Sequence, residues 1–566
     1  MILALTGVPL VIVSVIAFII ILGLIIVVHE GGHFFFAKKA GILCHEFSIG
    51  MGPVIWKKKY GETLLCIRAI PIGGFVSMAD EVLVEGLVKK GNKISLNFIE
   101  DKISEILLDE KATGQISGEV VDFDILGKDG NPLFITINDG MQDRYFEIAS
   151  DAFFVDSKNQ RLQITPYDRC FDSKSLLARF LTLVAGAGMN FVLAIIIYLI
   201  VSFAVGVPDL DSNVIGSVSA ANSNLIVEVE GENTYKLLPG DTITNINGDK
   251  ITSWNDVSVT LEKLVDNNQT TVDMVILRDG KEITLDDVEC YTYIASIGIS
   301  NIQVENKDFP NGVNNGVILG NIGMNYLDSD NVDYAISAGD IITKVRIDTV
   351  NSDKTIVKGT PVDVTSWSQL ISLFKDVNVV NVQFEYYSYE KKGIVSLDEC
   401  AIFQTYGNEL LENQRIEKIQ VKIGISPEQR FKFFGCVGEA FKAFWSDFTL
   451  IFRTLGILIA PQSGFRQVGV SDLSGFVGIF GMIMNFVSSG FLSLLSFMAL
   501  LSVNIGVMNL LPIPALDGGR VVFLGYELIT RKKPSKKVET IINNVFFILL
   551  MILFVYVTFN DIFRLF

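Results

Sequence analysis

The chain begins with 28 residues that carry no charged side chain, and three more long apolar stretches follow. Roughly 20 apolar residues are enough for a helix to cross a bilayer. The four stretches are residues 1–28, 181–208, 491–511 and 541–559. The first lacks the early basic residue that a cleaved signal peptide would have, so it is predicted to be retained. The fold class that follows is a polytopic α-helical membrane protein with four transmembrane helices.

Basic residues near the ends of these spans predict their orientation, because short loops rich in Lys and Arg stay on the cytoplasmic side. They cluster after the first span, before the second, and between the third and fourth. These residues are Lys38, Lys39, Lys57, Lys58, Lys59, Lys174, Arg179, Arg520, Arg531, Lys532, Lys533, Lys536 and Lys537. Both termini and the long region 209–430 are therefore predicted to be extracytoplasmic. Spans one and three then run parallel and end at the same cytoplasmic face.

The first apolar stretch ends in the sequence HEGGH, in a chain that has only three histidines. Four residues along a helix make little more than one turn, so His29 and His33 project from one face. Two imidazoles so placed suit a zinc ion, and the carboxylate of Glu30 can act as a general base. The alternative is a polar cap on a span. Ionisable groups at membrane depth are costly and usually mark function, which favours the zinc site.

A catalytic zinc ion needs a third protein ligand, and the third span supplies a candidate. This span ends in NLLPIPALDGGR, and its direction brings Asp517 to the same membrane margin as His29 and His33. Pro512 and Pro514 prevent a regular helix there. Non-helical backbone is tolerated at membrane depth where it lines a cavity in the protein. Asp517 is therefore predicted to be the third metal ligand.

These motifs resemble those of the site-2 protease family of intramembrane zinc metalloproteases. The stretches HEGGHFFFAKKAGILCHEFSIGMGP, IRAIPIGGFVSM, AGAGMNF, LSVNIGVMNLLPIPALDGGR and VTFNDIFRLF are similar to its regulator-of-sigma-E branch. DAFFVDSKNQRLQITPYDRCFDSK is similar to the form found in Gram-positive Firmicutes. The resemblance implies that His29, His33 and Asp517 bind Zn²⁺ and that Glu30 is the general base and later the acid. It also implies a set of substrate-binding residues, namely Asn509, Pro512 and Pro514.

Two stretches depart from the family pattern. The usual A-G-P-x-x-N of the second span reads AGAGMN at residues 185–190, and the usual S-G-P-V-G before the third span reads SGFVG at residues 474–478. Each lacks the proline of the family motif, and neither carries a predicted metal ligand.

The stretch RAIPIGGFVSM (residues 68–78) is apolar and has Gly73 and Gly74 at its centre, and strand-like GETLLCI precedes it. It predicts a β-hairpin whose edge can pair with an extended peptide. A purely structural hairpin is the alternative. The family resemblance implies a membrane-associated β-sheet that binds substrate, so Gly73 and Gly74 are predicted to contact it. The polar region after the hairpin, with runs such as LFITI and RYFEI, predicts a cytoplasmic β-rich insertion.

The extracytoplasmic region contains a loose repeat. LLPGDTITNINGDKITSW recurs as AISAGDIITKVRIDTV followed by VTSW, with Gly339, Asp340 and Trp367 in corresponding positions. Each copy resembles a bacterial PDZ domain, and PDZ sheets can bind a peptide by adding a strand. The chain is thus divided into a series of segments. They are 1–79 (first span and hairpin), 80–173 (insertion), 174–208 (second span), 209–310 and 311–428 (two PDZ-like α/β domains), 429–490 (amphipathic or membrane-surface helices), 491–520 (third span) and 521–566 (basic loop and fourth span).

The resemblance implies regulated intramembrane proteolysis in a bacterial plasma membrane. The expected substrates are single-span membrane proteins that were cut outside beforehand, such as anti-sigma factors. Processing of remnant signal peptides or pheromone precursors is the alternative within the same chemistry. A PDZ-bearing scaffold with a structural zinc ion is the alternative outside it, and a structural site would have a closed ligand shell. The formal charge of -17 argues against nucleic acid as a partner.

Overall fold

The computed structural model describes most of the chain. The described residues are 8–80, 87–109, 112–127, 132–157, 161–218, 226–229, 232–235, 237–301, 309–310, 313, 315–322, 336–350, 355–375, 379–400, 402–404, 418–459 and 474–563. The first seven residues of the predicted first span, residues 405–417 of the second PDZ-like segment, and residues 460–473 of the predicted membrane-surface helices lie outside them.

Nine α-helices are formed by the described residues. They are α1 (Val8–Lys39), α2 (Leu176–Val205), α3 (Trp254–Asp266), α4 (Trp367–Phe374), α5 (Phe433–Ile459), α6 (Phe476–Ser489), α7 (Phe491–Leu510), α8 (Asp517–Thr530) and α9 (Lys536–Phe563). Helices α1, α2, α7 and α9 are long and apolar enough to cross a membrane. The prediction of four such helices is therefore confirmed. Their orientation in the membrane stays a prediction.

By internal contacts the chain divides into two compact units, and the first comprises residues 1–201, 443–448 and 474–566. Within it, α6 packs against α1, with the ring of Phe18 6.4 Å from that of Phe476 and 6.0 Å from that of Phe480. Phe476 also contacts Phe554 of α9 at 5.5 Å. Aromatic side chains of this kind bury large apolar areas and so fix the helices against one another.

The predicted hairpin is present as β1 (Cys44–Tyr60) and β2 (Thr63–Met78). Gly50 and Gly52 have φ angles of +84° and +83°, which bend β1 sharply. As a result, residues 44–49 of β1 pair with residues 64–67 of β2 on one side and with 74–78 on the other. In the part of the chain that the structure describes, no further strand pairs with β2, so residues 70–78 form an edge of this sheet.

The region after the hairpin is rich in β-structure and forms one sheet. Its strands are β3 (Lys93–Ile99), β4 (Lys102–Leu107), β5 (Ile116–Asp124), β6 (Phe134–Asn138), β7 (Asp143–Val155) and β8 (Arg161–Gln163). The order is β4-β3-β5-β6-β7-β8, and β4 also pairs with β7 in parallel. This extra pairing closes five strands into a ring around buried Leu96, Ile103, Ile135 and Phe154. A closed sheet leaves few unpaired edges.

The second unit comprises residues 202–442 and 449–473 and consists mainly of short strands. They are β9 (Val207–Pro208), β10 (Ile215–Val218), β11 (Ile226–Val229), β12 (Glu232–Tyr235), β13 (Thr242–Ile246), β14 (Asp249–Lys250), β15 (Thr271–Arg278), β16 (Lys281–Glu289), β17 (Tyr291–Ile294), β18 (Ile299–Ser300), β19 (Val317–Ile318), β20 (Asn321–Ile322), β21 (Ile341–Val350), β22 (Ile356–Val357), β23 (Val362–Asp363), β24 (Val379–Ser388), β25 (Gly393–Val395), β26 (Phe403–Gln404), β27 (Ile419–Lys422), β28 (Ile425–Pro427) and β29 (Gln429–Arg430).

The two copies of the sequence repeat have the same local structure. Gly240 and Gly339 have positive φ angles of +95° and +91°. In each copy the following aspartate, Asp241 or Asp340, accepts a hydrogen bond from the backbone N–H three residues earlier, at 2.7 and 2.8 Å. The tryptophan of each copy is the first residue of a helix, α3 or α4, behind a serine N-cap. The assignment of either copy to the PDZ fold stays a prediction.

Strands at and just after the end of the second predicted PDZ-like segment pair with strands of the first segment and with β9, which directly precedes it. β27 pairs with β17, β28 with β10, and β29 with β9. Val421 and Ile423 are buried in the same cluster as Ile243 and Ile276 of the first copy. Residues 421–425 therefore add to the core of the first copy, whereas Ile419 is buried in the cluster of the second copy.

Candidate metal centre

Helix α1 presents two buried imidazoles on one face. His29 is 8% exposed and His33 is 6% exposed, and their ring centroids are 4.9 Å apart. The spacing of four residues places them one above the other, about one helical turn apart. The predicted first ligand pair is therefore brought together.

Asp517 reaches the same place because the chain leaves the helical path between α7 and α8. Pro512 and Pro514 have no N–H to donate, so α7 ends at Leu510. Ala515 has a φ of +75°, and its N–H donates to Asn543 Oδ1 of α9 at 3.2 Å. The new helix α8 then begins at Asp517 itself. A carboxylate in the first turn is favoured by the unpaired N–H groups there.

The donor atoms of these three side chains converge. His33 Nε2 lies 3.1 Å and His29 Nε2 lies 3.2 Å from Asp517 Oδ2, and the two Nε2 atoms are 3.3 Å apart. Ligand atoms bound tetrahedrally to one zinc ion at about 2.0–2.1 Å are themselves about 3.3 Å apart. The three separations fit such a site, and three protein ligands leave one position of the tetrahedron open.

Groups behind the histidines are provided by α2. His33 Nδ1 lies 2.8 Å from the backbone oxygen of Thr182 and donates to it, so the lone pair of the neutral ring is on Nε2. His29 Nδ1 faces the amide of Asn190 at 3.3 Å. Ligating histidines regularly donate a hydrogen bond from their second nitrogen, as His33 does here. Neither Thr182 nor Asn190 was identified as a site residue from the sequence, although Asn190 belongs to the AGAGMN stretch.

The close approach of α1 and α2 depends on glycines. A Cβ at Gly186 would lie 2.3 Å from His33 Nε2 and 2.8 Å from His29 Nε2, inside the space between the donor atoms. A Cβ at Gly32 would lie 2.5 Å from the backbone oxygen of Ala185. Gly186 is thus a third residue that sequence reasoning missed, and the signal was the glycine pair in AGAGMN.

Glu30 lies beside the β-hairpin. A Cβ at Gly74 would be 2.9 Å from Glu30 Cγ and 2.8 Å from the backbone oxygen of Ser48, so β2 lies in direct contact with α1. Gly73 has a φ of +72°, and its open side faces Met51. The structure therefore brings Gly74 to Glu30 and places Gly73 one residue away on the same strand.

The remaining predicted residues lie on the path to Asp517. Asn509 is in the last turn of α7, and Pro512 and Pro514 lie in the segment between α7 and α8. Their predicted contacts with substrate stay a prediction.

A buried ion pair connects α2 to α8. Arg179 Nη1 and Nη2 donate to the two carboxylate oxygens of Glu527 at 3.0 and 2.7 Å. The side chains are 6% and 14% exposed. Bidentate pairs of this kind fix orientation as well as distance. The pair therefore fixes α8, whose first residue is Asp517, against the helix that lies behind the histidines.

Comparisons with known proteins identify the family of the chain. The sequence profile of peptidase family M50 matches residues 17–553. The zinc metalloprotease RasP of Oceanobacillus iheyensis is 30% identical over 98% of this chain and 99% of its own length. The zinc metalloprotease RasP of Shouchella clausii is 29% identical over the same shares. The regulator of sigma-W protease RasP of Bacillus subtilis is 28% identical, again over 98% and 99%.

Proposed function

The chain belongs to peptidase family M50 and is a zinc metalloprotease, and from this we propose that it cuts substrate segments within the membrane, with His29, His33 and Asp517 as zinc ligands. The observation that carries the proposal is the convergence of their donor atoms to separations of 3.1–3.3 Å. The space between the donor atoms also suits an ion, because Gly186 has no Cβ to fill it. When bound, zinc polarises the peptide carbonyl and lowers the pKa of water.

Glu30 moves the protons of the reaction. Its carboxylate takes a proton from the attacking water and then gives it to the amide nitrogen that leaves. Glu30 lies next to the ligands on α1 and is covered by Gly74 of β2. A single carboxylate in this place can serve both steps, because water and the scissile nitrogen approach the same carbonyl carbon.

The substrate is bound as an extended strand. A helix hides its amides in internal hydrogen bonds, so a transmembrane segment has to unwind before it is cut. The edge of β2, residues 70–78, passes Glu30 and offers backbone groups for strand addition. Asn509, Pro512 and Pro514 lie in the last turn of α7 and in the segment that leads to Asp517, and we assign them to contacts with the substrate.

The substrate class follows from relatives and from topology. The Bacillus subtilis relative is named as a regulator of sigma-W protease. We therefore assign anti-sigma factors with one span, already trimmed outside the cell, as substrates of this chain. The site lies near the cytoplasmic face, and the PDZ-like region 209–428 is extracytoplasmic, where it excludes or selects substrates. Remnant signal peptides are the second candidate, because they also present one short span.

The test is cleavage of two purified substrates in liposomes, a trimmed single-span anti-sigma factor and a signal-peptide remnant. Wild type is compared with Glu30→Gln and with Glu119→Gln, a control on the exposed face of β5. We expect all three to bind zinc, and wild type and Glu119→Gln to cut the anti-sigma factor. Glu30→Gln should be inactive. If Glu30→Gln cuts as fast as wild type, Glu30 is not the general base and the proposed mechanism is wrong. If wild type binds zinc but cuts neither substrate, the scaffold alternative gains support. If only the signal peptide is cut, the substrate assignment is wrong.

A further inference from the structure

The buried side-chain amide of Asn190 has a hydrogen-bond partner for its nitrogen but none for its oxygen. The residue is 0% exposed in the middle of α2. Its Nδ2 faces His29 Nδ1 at 3.3 Å, while its Oδ1 is buried with no hydrogen-bond partner. Its backbone oxygen accepts a hydrogen bond from Ser502 of α7 at 2.8 Å. Asn190 therefore contacts the helix of the histidines and is held by the helix that leads to Asp517.

The orientation of this amide decides which nitrogen of His29 carries the proton. With Nδ2 toward the ring, Asn190 donates to Nδ1, and the proton of the neutral imidazole is on Nε2. That proton points to Asp517 Oδ2, 3.2 Å away, so Nε2 cannot bind a metal ion. A half-turn of the amide exchanges Oδ1 and Nδ2 with almost no change in shape. Oδ1 then accepts from Nδ1–H, and the lone pair on Nε2 becomes free.

The two histidines differ in this respect. His33 Nδ1 donates to the backbone oxygen of Thr182 at 2.8 Å, and a backbone carbonyl cannot change from acceptor to donor. His33 is thus fixed in the tautomer that binds metal. The amide of Asn190 can satisfy either tautomer of His29, one suited to the metal-free site and one to the loaded site.

We propose that Asn190 is a positioning residue for the metal centre, and that its Oδ1 accepts a hydrogen bond from His29 Nδ1 when zinc is bound. This inference rests on the proposed function, in which His29, His33 and Asp517 are the ligands. Loss of such an outer contact typically weakens metal binding about 10- to 100-fold. The acceptor oxygen is the essential feature, so a carboxylate at the same position should replace the amide.

The test measures the zinc dissociation constant of the full-length protein in detergent by competition with a chelating dye. The variants are Asn190→Asp, Asn190→Leu and Asn190→Ala, with Asn485→Leu on the exposed side of α6 as a control. We expect Leu and Ala to bind zinc about 10- to 100-fold more weakly than wild type. Asn190→Asp should bind within about threefold of wild type or more tightly, because aspartate accepts from Nδ1–H. The visible absorption of the Co²⁺-loaded protein should change in the Leu and Ala variants only.

If Asn190 only packed between the helices, zinc affinity would follow the reverse order. Asn190→Leu would then bind zinc better than Asn190→Asp, because leucine fills the space and a buried carboxylate is costly. The proposal is overturned if Asn190→Leu binds as tightly as wild type, or if folded Asn190→Asp binds as weakly as Asn190→Ala. If Asn190→Leu does not fold, the comparison of Asp with Ala decides. The variant His33→Ala distinguishes a failure of the ligand assignment from a failure of the role proposed for Asn190. If it leaves zinc affinity unchanged, the ligand assignment itself is wrong; if it abolishes binding while the Asn190 variants are normal, only the role of Asn190 is wrong.

Discussion

Replacing Gly186 by alanine tests whether α1 and α2 must touch for the metal centre to form. The new Cβ would lie 2.3 Å from His33 Nε2 and 2.8 Å from His29 Nε2. Non-bonded heavy atoms prefer separations of about 3.5 Å or more. One side of the contact must therefore move by about 1 Å. The neighbouring backbone gives little room, because a Cβ at Gly32 would already be 2.5 Å from the backbone oxygen of Ala185.

A shift of this size is large for a metal site, where ligand distances are held within about 0.2 Å. We expect zinc affinity to fall by at least about 100-fold, the upper end of the effect of outer contacts, and cleavage to be lost. The helix itself should gain, because alanine is favoured over glycine in a helix by about 1 kcal/mol. Gly186→Ala should therefore stay folded without its metal.

Gly188 is the matched control. It lies two residues further along α2, and a Cβ there would have no heavy atom within 4 Å. Gly188→Ala adds the same methyl group to the same helix and should keep zinc and activity. Zinc dissociation constants, cleavage rates and melting temperatures are measured for both variants. Equal zinc binding by Gly186→Ala and Gly188→Ala would refute the close-contact argument.

Three further changes have different expected signatures. Gly74→Ala should abolish cleavage and keep zinc, because the three atoms nearest the new Cβ belong to Ser48, Glu30 and Ile26 and none belongs to a proposed ligand; a wild-type turnover rate would contradict this. Arg179→Met should destabilise the protein by about 3–5 kcal/mol in denaturant unfolding, since it leaves the buried carboxylate of Glu527 unpaired, and adding Glu527→Leu should restore most of the loss. The hydrogen bond from Lys432, with the charges of Lys432 and Arg430, holds the pKa of Asp209 below its usual value. The contribution of ionised Asp209 to the free energy of unfolding is therefore fully present above the unfolded pKa of about 3.9. It is lost as the pH falls through the lower pKa of the folded state. In Asp209→Asn, the melting temperature should fall less steeply with decreasing pH below about pH 4 than in wild type. If the two proteins lose stability equally in acid, the interaction of Asp209 with Lys432 and Arg430 is not the cause of that loss.

The elements with a strong local signal could be predicted from the sequence. Uncharged runs define the four membrane helices, and the spacing of His29 and His33 fixes their common face. Asp517 could be predicted because the first and third spans are expected to run parallel and to end at the same membrane face. The glycine-centred hairpin was predicted as well, and Gly74 does lie against Glu30.

The features that were missed depend on contacts between distant segments. Gly186 and Asn190 lie in an apolar helix, and their roles depend on which face of α2 meets α1, which hydropathy does not show. The pairing of β27, β28 and β29 with β17, β10 and β9 could not be predicted for the same reason. Residues 419–430 are about 200 positions from β9 and β10, and a short strand carries no mark of its partner.

The fourth span carries none of the three proposed ligands, yet it contacts the supports of both parts of the proposed metal centre. Near its start, Asn543 accepts from Ala515, whose positive φ makes the turn before Asp517. Near its end, the buried carboxylate of Asp561 accepts from the N–H groups of Gly475 and Gly478 at 2.8 and 2.9 Å, and so caps α6. Helix α6 in turn packs on α1, which carries the histidines. Eighteen residues of helix separate the two contacts, a distance of about 27 Å. One helix, α9, therefore contacts the turn before Asp517 at one end and the helix that packs on α1 at the other, and so helps to fix the distance between Asp517 and the two histidines.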